Sequence, residues 1–432
     1  MTSLDHLKRF RQRLYYQLGP AQDALFDLMD AVLTTRSISS FVELSLSPLF
    51  RRKWPSIYAA VQDTYPAPQC LMREYAQEIP TSELIVLAGD HTAWSRIFAK
   101  TLQERTYEHH PQPLSSSKPI TLGQGYSTIA WVPEAQGSWA LPLLHERITS
   151  FETPLEKAAT QLRQVCLQLA GPILFLGDSE YGCAPFVKHS CDIDCDQLLR
   201  LRPNRVLYQA PPPYQGKGRP RKHGAKFSLS DRDTWHEPQE QLLLEDTDLG
   251  RVRVRCWNTL HFKQAAKHPF SLMMVERLDA PSAKPLWLVW ISKQELSVTQ
   301  LWRKYLRRFA LEHWYRFVRQ RLHWTVPQLS TPKQMEAWSD LMPLLTWQLW
   351  LARPLVQDSP LPWQKQMTSL SPGRVADSIA ALLARIGSPA PDPKPRGKSP
   401  GWTKGRKRTP RSRYPTIKKR ASKPKKEEKV AA

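Results

Sequence analysis

The sequence predicts an α/β protein with a strand-rich insertion and helical flanks. Two short, unbroken apolar runs are the first sign: Leu84-Ile-Val-Leu-Ala-Gly-Asp90 and Ile173-Leu-Phe-Leu-Gly-Asp178 each stop at Gly-Asp. Runs of this length suit strands buried on both faces. A helical stretch over 154–169 lies between them. The third sign is a strand-rich pattern from about 205 to 291, where Arg251-Val-Arg-Val-Arg255 alternates cleanly and Trp287-Leu-Val-Trp-Ile291 suits a buried strand.

Taken in order, residues 1–80 read as helical. Phe10, Leu14, Tyr15 and Leu18 recur at helical spacing, as do Ala24, Leu25, Leu28, Met29 and Val32, and Arg51, Arg52 and Lys53 add a basic cluster. Strand-like segments follow at 84–90, 128–132, 139–144 and 173–178, each bounded by Gly or Pro or ended by Gly-Asp. One long helix is expected over 298–322, and further helix over 331–386.

The chain has 432 residues, enough for two or three domains. Its 62 Lys and Arg against 39 Asp and Glu give a net charge of +23, which attracts polyanions. A membrane surface is disfavoured: residues 1–10 lack a signal-peptide core. The apolar stretch 341–355 holds Pro343 and Arg353 and is too short to span a bilayer. Six irregularly spaced cysteines argue for a reducing compartment over a disulfide scaffold. Residues 394–432 alone carry a net +14, with hardly any large apolar side chain. Such a segment cannot offset its chain entropy, so 391–432 is expected to be a disordered basic tail that holds phosphates without reading sequence.

Two strands ending in Gly-Asp place two carboxylates at one sheet edge if they are parallel neighbours, and open α/β sheets keep active sites there. Either Asp alone more often forms a turn or a helix cap. On the late helix, Tyr305, Arg308, Glu312 and Arg319 are spaced by three, four and seven. At 100° per residue they fall within roughly 60° of one another. Arg316 lies beside them, while Leu306, Ala310, Trp314 and Phe317 can pack inward. Standing alone, such a stripe is a solvated face with i,i+4 ion pairs.

The three blocks together resemble the DDE transposases of bacterial insertion sequences, in particular the cut-and-paste group with a Tyr-Arg-Glu-Lys signature. That signature is Tyr, two residues, Arg, three residues, Glu, six residues, Lys. Here it reads Tyr305, Arg308, Glu312 and Arg319. Only the last residue departs, and Arg keeps the charge while replacing a point charge with a planar fork. Gly89-Asp-His-Thr92 is similar to the first-aspartate block and Gly177-Asp-Ser-Glu-Tyr-Gly182 to the second. Arg200-Leu-Arg202 and Gly-Arg-Pro-Arg-Lys-His-Gly at 218–224 also look familial. The resemblance spans roughly residues 40–325.

It implies an RNase H-like mixed-sheet catalytic core in two parts, 81–204 and 292–326. The first Asp would end strand one, the second would end strand four, and the Glu would project from a late helix. The remaining parts would be a DNA-binding helical region at 1–80, a β-rich insertion at 205–291 and a helical region at 327–390. The implied activity is cleavage of the ends of an insertion sequence and joining of the 3′-hydroxyls to target DNA. Asp90, Asp178 and Glu312 would be the catalytic metal ligands. In-line attack on a phosphodiester needs an activated water or hydroxyl and a stabilised leaving oxygen, which two Mg²⁺ ions roughly 3.5–4 Å apart supply. Mg²⁺, with Mn²⁺ as a substitute, takes hard oxygen ligands. Asp90 is expected to bridge both ions, with Asp178 and Glu312 each holding one. Tyr305, Arg308 and Arg319, with Arg316 beside them, would grip phosphates. The implied partner is double-stranded DNA, as transposon ends and target, bound by a homodimer at the bacterial nucleoid. Relatives open the DNA end through a hairpin and seat a Trp against a flipped base. Trp302, Trp314 and Trp324 are near enough in sequence, and none is assigned that role. Two rival readings stay open: an inactive DNA-binding descendant, and an RNase H-like nuclease that cuts without joining.

Other signals weigh less. Glu180, two residues past Asp178, would be a ligand instead only if the sheet is misread. Asp192, Asp194 and Asp196 have the early spacing of a calcium loop, but Gln197 and Pro203 stand where it needs Gly and Glu. Cys183, Cys191 and Cys195 lack a second zinc-ligand pair. Lys217, Arg219, Arg221 and Lys222 form either a minor-groove hook or an exposed basic loop, and both imply DNA contact. His91 and His313 flank two of the acids and are left unassigned.

Overall fold

The computed structural model describes residues 2–419 apart from 65, 82–83, 110–118, 217, 281, 293–297, 396–400, 402 and 408. Four helices open the chain: α1 (Ser3–Tyr16), α2 (Gln22–Thr34), α3 (Pro55–Asp63) and α4 (Pro68–Ala76). Thr2 and Asp5 start α1 as a reciprocal capping box, each side chain taking the other's backbone N–H. Leu7, Phe10, Leu14 and Tyr15 form its buried stripe.

Next come β1 (Ile85–Ser95), β2 (Thr106–His109), β3 (Ile120–Trp131), β4 (Leu141–Ile148), α5 (Pro154–Cys166), β5 (Ile173–Gly177), α6 (Ala184–Ser190) and β6 (Asp196–Arg200). Thr153, Pro154 and Glu156 begin α5 with a second capping box. That helix lies on β3, where the Gln161 amide donates to Ser127 O at 3.1 Å. The strand-rich segment supplies β7 (Val206–Tyr208), β8 (Lys226–Ser228), β9 (Glu240–Asp246), β10 (Gly250–Phe262), β11 (Phe270–Arg277) and β12 (Leu286–Ile291). The chain closes with α7 (Val298–Leu306), α8 (Phe309–Gln320), α9 (Pro332–Ser339), α10 (Leu341–Ala352) and α11 (Pro372–Ile386).

The strands form one mixed sheet, in the order β2-β3-β1-β5-β6-β12-β11-β10-β7-β8, with β4 paired to β3 and β9 to β10. β5 lies parallel between β1 and β6, β3 runs antiparallel beside β1, and β4 pairs antiparallel with β3. This mixed α/β arrangement is consistent with the RNase H-like core of a DDE nuclease. The strand-rich segment continues that sheet, because β12 pairs with β6 from Leu288↔Arg200 to Ile291↔Gln197.

The helices at the two ends of the chain share one core. Arg11 of α1 reaches Asp30 of α2 and Gln348 of α10. Arg321, just past α8, donates to the carbonyls of Leu33 and Thr35 at the end of α2, at 2.8 and 2.9 Å. A helix end leaves such carbonyls without intrahelical partners. Among the described residues no helix is long and apolar enough to cross a membrane.

Three expectations need correction. The single helix over 298–322 is two helices. Around the junction the backbone bonds tighten to three-residue spacing, with Arg308 N–H to Tyr305 O at 3.1 Å and Leu311 N–H to Arg308 O at 3.0 Å. A 3₁₀-like step of this kind shifts the phase of side chains across it. Second, β1 runs five residues past Asp90 and does not end there. Third, the tail is not structureless throughout: Tyr414 and Ile417 make backbone hydrogen bonds to Lys100 and Arg105 beside β2.

Candidate active site

An asymmetry in β1 places the first carboxylate. Its parallel pairing with β5 stops at Gly89↔Gly177, while its antiparallel pairing with β3 continues to Ser95↔Gly123. Asp90 is the first residue without a β5 neighbour, and here burial gives way to partial exposure. Asp178 follows Gly177 directly, so the register sets the two carboxylates side by side. Neither preceding position has room for a side chain. A Cβ at Gly89 would lie 2.5 Å from the Phe175 ring, and one at Gly177 would lie 2.8 Å from Leu199.

Local bonds aim both groups. Asp90 Oδ1 accepts the His91 N–H, and Asp178 Oδ1 accepts the Glu180 N–H, each at 2.8 Å. Burial, then the nearby Asp178 charge, push Asp90 up to about 6. Arg308, at the junction of α7 and α8, opposes that shift with one guanidinium nitrogen 3.4 Å from Asp90 Oδ2. Its other terminal nitrogen holds the Glu312 carboxylate. Burial works against the Arg308 charge, but Tyr305 and the surrounding carboxylates outweigh it and raise its pKa. Asp90 and Glu312 therefore share one buried cation, whose charge Asp178 also feels.

Residues 13–259 match the family described as DDE superfamily endonuclease, which is more than half of the chain. The chain belongs to the DDE superfamily endonucleases. No curated protein matched it in a sequence comparison. The matched region contains Asp90 and Asp178 and stops before Glu312. Membership implies nuclease chemistry on DNA, in a family that typically uses divalent metal ions.

The remaining residues of interest in this DDE endonuclease are placed unevenly. Arg319 donates to the Thr92 hydroxyl and, at 3.3 Å, to Ala93 O, which clamps α8 to β1 just beyond Asp90. Arg316 is exposed. Tyr305 is 1% exposed, with its ring centre 6.0 Å from the Arg308 guanidinium carbon. Arg219, Arg221 and Lys222 are exposed on the loop between β7 and β8, and Lys217 lies outside the described residues. Trp314 and Trp324 are fully buried and donate to Thr346 and Ser339, so both are core residues as placed. Trp302 is likewise buried.

Two groupings escaped the sequence reading. Tyr315 donates to Asp90 O at 3.0 Å and lies 2.8 Å from the Thr128 hydroxyl, which in turn meets His145 Nδ1 at 2.8 Å. Its one available signal was position, three residues past Glu312 on the same helix. Glu180, partly buried on a turn, contacts His91 Nε2 and Arg202, both at 3.2 Å. Burial lowers the His91 pKa, but the Glu180 carboxylate more than reverses that. Arg202 belongs to the short familial block, which was the only hint of this link.

The donor set suits a divalent metal. Asp90 and Asp178 are hard oxygen ligands, and their mutual repulsion is what a bound cation relieves. No group of three or more His, Cys, Asp or Glu among the described residues is arranged to hold one as placed. Arg308 stands between Asp90 and Glu312, with one nitrogen on each.

Proposed function

We propose that this chain is a DNA transposase that cleaves the ends of an insertion sequence and joins the 3′-hydroxyls to target DNA. The parallel register Gly89↔Gly177, which sets Asp90 beside Asp178 with Arg308 linking Asp90 to Glu312, is the observation that carries the reading. Asp90, Asp178 and Glu312 would hold two Mg²⁺ ions, or Mn²⁺ in their place, with Asp90 shared. Bound there, the metal supplies an activated attacking oxygen and charge for the leaving oxygen.

The protein's own part is to aim and exclude. Backbone N–H groups of His91 and Glu180 each hold Oδ1 of one Asp, which turns Asp90 Oδ2 toward Arg308. Arg308 keeps Asp90 and Glu312 compensated until the site is loaded. Released from Glu312, it is a buried fork suited to a phosphate. Arg319 and Arg316 extend that basic surface along α8, and Arg219, Arg221 and Lys222, with Lys217, offer a second one on the insertion loop. Synapsis of paired ends would use a dimer.

The test is cleavage of a duplex carrying the gene's own flanking ends, with Mg²⁺ or Mn²⁺, by wild type, Glu312→Gln and an Asp90→Ala/Asp178→Ala double variant. Wild type alone should cut, and its 3′-hydroxyl ends should join a target duplex. End binding without cutting by wild type would leave a DNA-binding descendant. Cutting without joining would leave a nuclease, and equal cutting by Glu312→Gln would remove Glu312 from the site.

A further inference from the structure

The C-terminal segment is tied to the nuclease sheet more firmly than its composition suggests. Tyr414 N–H donates to Lys100 O at 2.9 Å and Ile417 N–H to Arg105 O at 2.7 Å. The Arg105 guanidinium donates back to Tyr414 O at 3.4 Å, and Ile417 pairs in parallel with Thr106. Lys419 Nζ lies 2.7 Å from a Glu108 oxygen, and that carboxylate has only 7% of its side chain exposed. A polar, Pro-rich segment has too little apolar surface to fold by itself. Here it borrows backbone partners from a sheet edge, as strand-adding peptides do, and answers a buried charge.

The docked residues turn their cations outward. Arg411, Arg413 and Lys418 are exposed, while Tyr414, Ile417 and Lys419 are partly covered. The turn that receives Tyr414 also carries Phe98, which is 90% exposed. This surface lies at the same end of the sheet as the catalytic acids. Thr106 faces Gly123 on β3, and Thr128 on that strand faces Asp90. Ordinary strand rise and spacing put the docked segment roughly 20 Å from Asp90. That is within one turn of B-form DNA, about 34 Å.

We propose that residues 411–419 are a strand-docked duplex-binding element, which fixes Arg411, Arg413 and Lys418 on the phosphates of DNA leading away from the catalytic acids. The proposal rests on the DNA nuclease reading above. A tail that only caps the β2 edge against other strands would need the backbone bonds and not the outward charges.

The experiment uses the full chain and a fluorescent duplex of roughly three turns, titrated across a series of KCl concentrations. An Arg411→Gln/Arg413→Gln/Lys418→Gln variant keeps the docking bonds and removes the charges. Its affinity should fall about three- to tenfold at moderate salt, and its log K against log salt slope by about 2 to 3. Ile417→Pro keeps every charge and removes the N–H given to Arg105, so proteolysis of the tail should quicken while affinity falls in the same direction. Unchanged affinity and slope in the triple variant would overturn the proposal. So would an Ile417→Pro protein with a protease-released tail and wild-type binding, since the charges then act without docking. A wild type that binds no duplex at all would bring down the DNA nuclease reading itself, and this proposal with it.

Discussion

Arg11 and Arg308 are both buried, with side chains 2% and 5% exposed, and each holds more than one acceptor group. Their surroundings differ in completeness. Arg11 grips Asp30 with two parallel bonds of 2.9 and 2.8 Å, meets Gln348 at 2.6 Å and Gly387 O at 3.3 Å, and lies over the Phe26 ring. The bidentate fork is the strong geometry for such a pair. Arg308 reaches Asp90 through one longer contact of 3.4 Å, holds Glu312 with another nitrogen, and leaves Nε without a partner among the described residues. One network is closed and fastens helices together. The other is open and includes carboxylates that are 17% and 48% exposed, able to exchange partners. A buried ion pair by itself says little about role; what separates structure from function here is whether the partners can be replaced from solvent.

The largest effect should come from breaking the closed network. Arg11→Met leaves Asp30 buried without its counter-charge, which costs about 3–5 kcal/mol of stability. Urea unfolding at neutral pH measures it, and a loss below about 1 kcal/mol would erase the distinction between the two sites. Arg308→Met should do the opposite in kind. Cleavage should fall at least about a hundredfold, equivalent to about 2.7 kcal/mol. Its unfolding midpoint should move less than that of Arg11→Met, since Asp90 and Glu312 can be hydrated or take up cations. A variant destabilised as much as Arg11→Met, with cleavage intact, would make Arg308 a structural residue.

The two networks were unequally legible in the sequence. Asp90 and Asp178 stood out because a strand buried on both faces has a simple apolar signature, and Gly-Asp marks where it stops. The parallel pairing that joins them is tertiary, yet two matching strand ends were enough to suggest it. Glu312 and Arg308 were visible as a spaced signature, but the tightened turn at 305–311 was not, because nothing in Tyr305-Leu-Arg-Arg-Phe309 breaks a helix. Arg11 with Asp30 and Gln348 is invisible to periodicity, since its bonds reach 19 and 337 positions along the chain. The tail misled for a related reason: composition sets whether a segment can build a core, not whether another part of the chain offers it a strand edge.

The smallest effect lies behind the open site, in a polar group that is neither closed nor exposed. His145 is 2% exposed, with Nδ1 on Thr128 and Nε2 unpartnered among the described residues. The rings of Tyr126, Trp314 and Trp324 surround it at 5.1, 5.2 and 4.9 Å. Burial, aided by the Arg319 charge, holds its pKa down to about 3. In the unfolded chain the same imidazole titrates near 6.5. Below that pH the unfolded state takes a proton that the folded state refuses, so stability falls as pH falls. Between pH 6.5 and 5 the loss should be roughly 2 kcal/mol. His145→Gln removes the titrating group and should flatten this part of the curve, whatever it does to stability at neutral pH. Denaturant unfolding at a series of pH values compares the two slopes. Parallel curves would mean that the folded protein protonates His145 as readily as the unfolded chain does, and that the space beside Nε2 already admits water to complete its bonds.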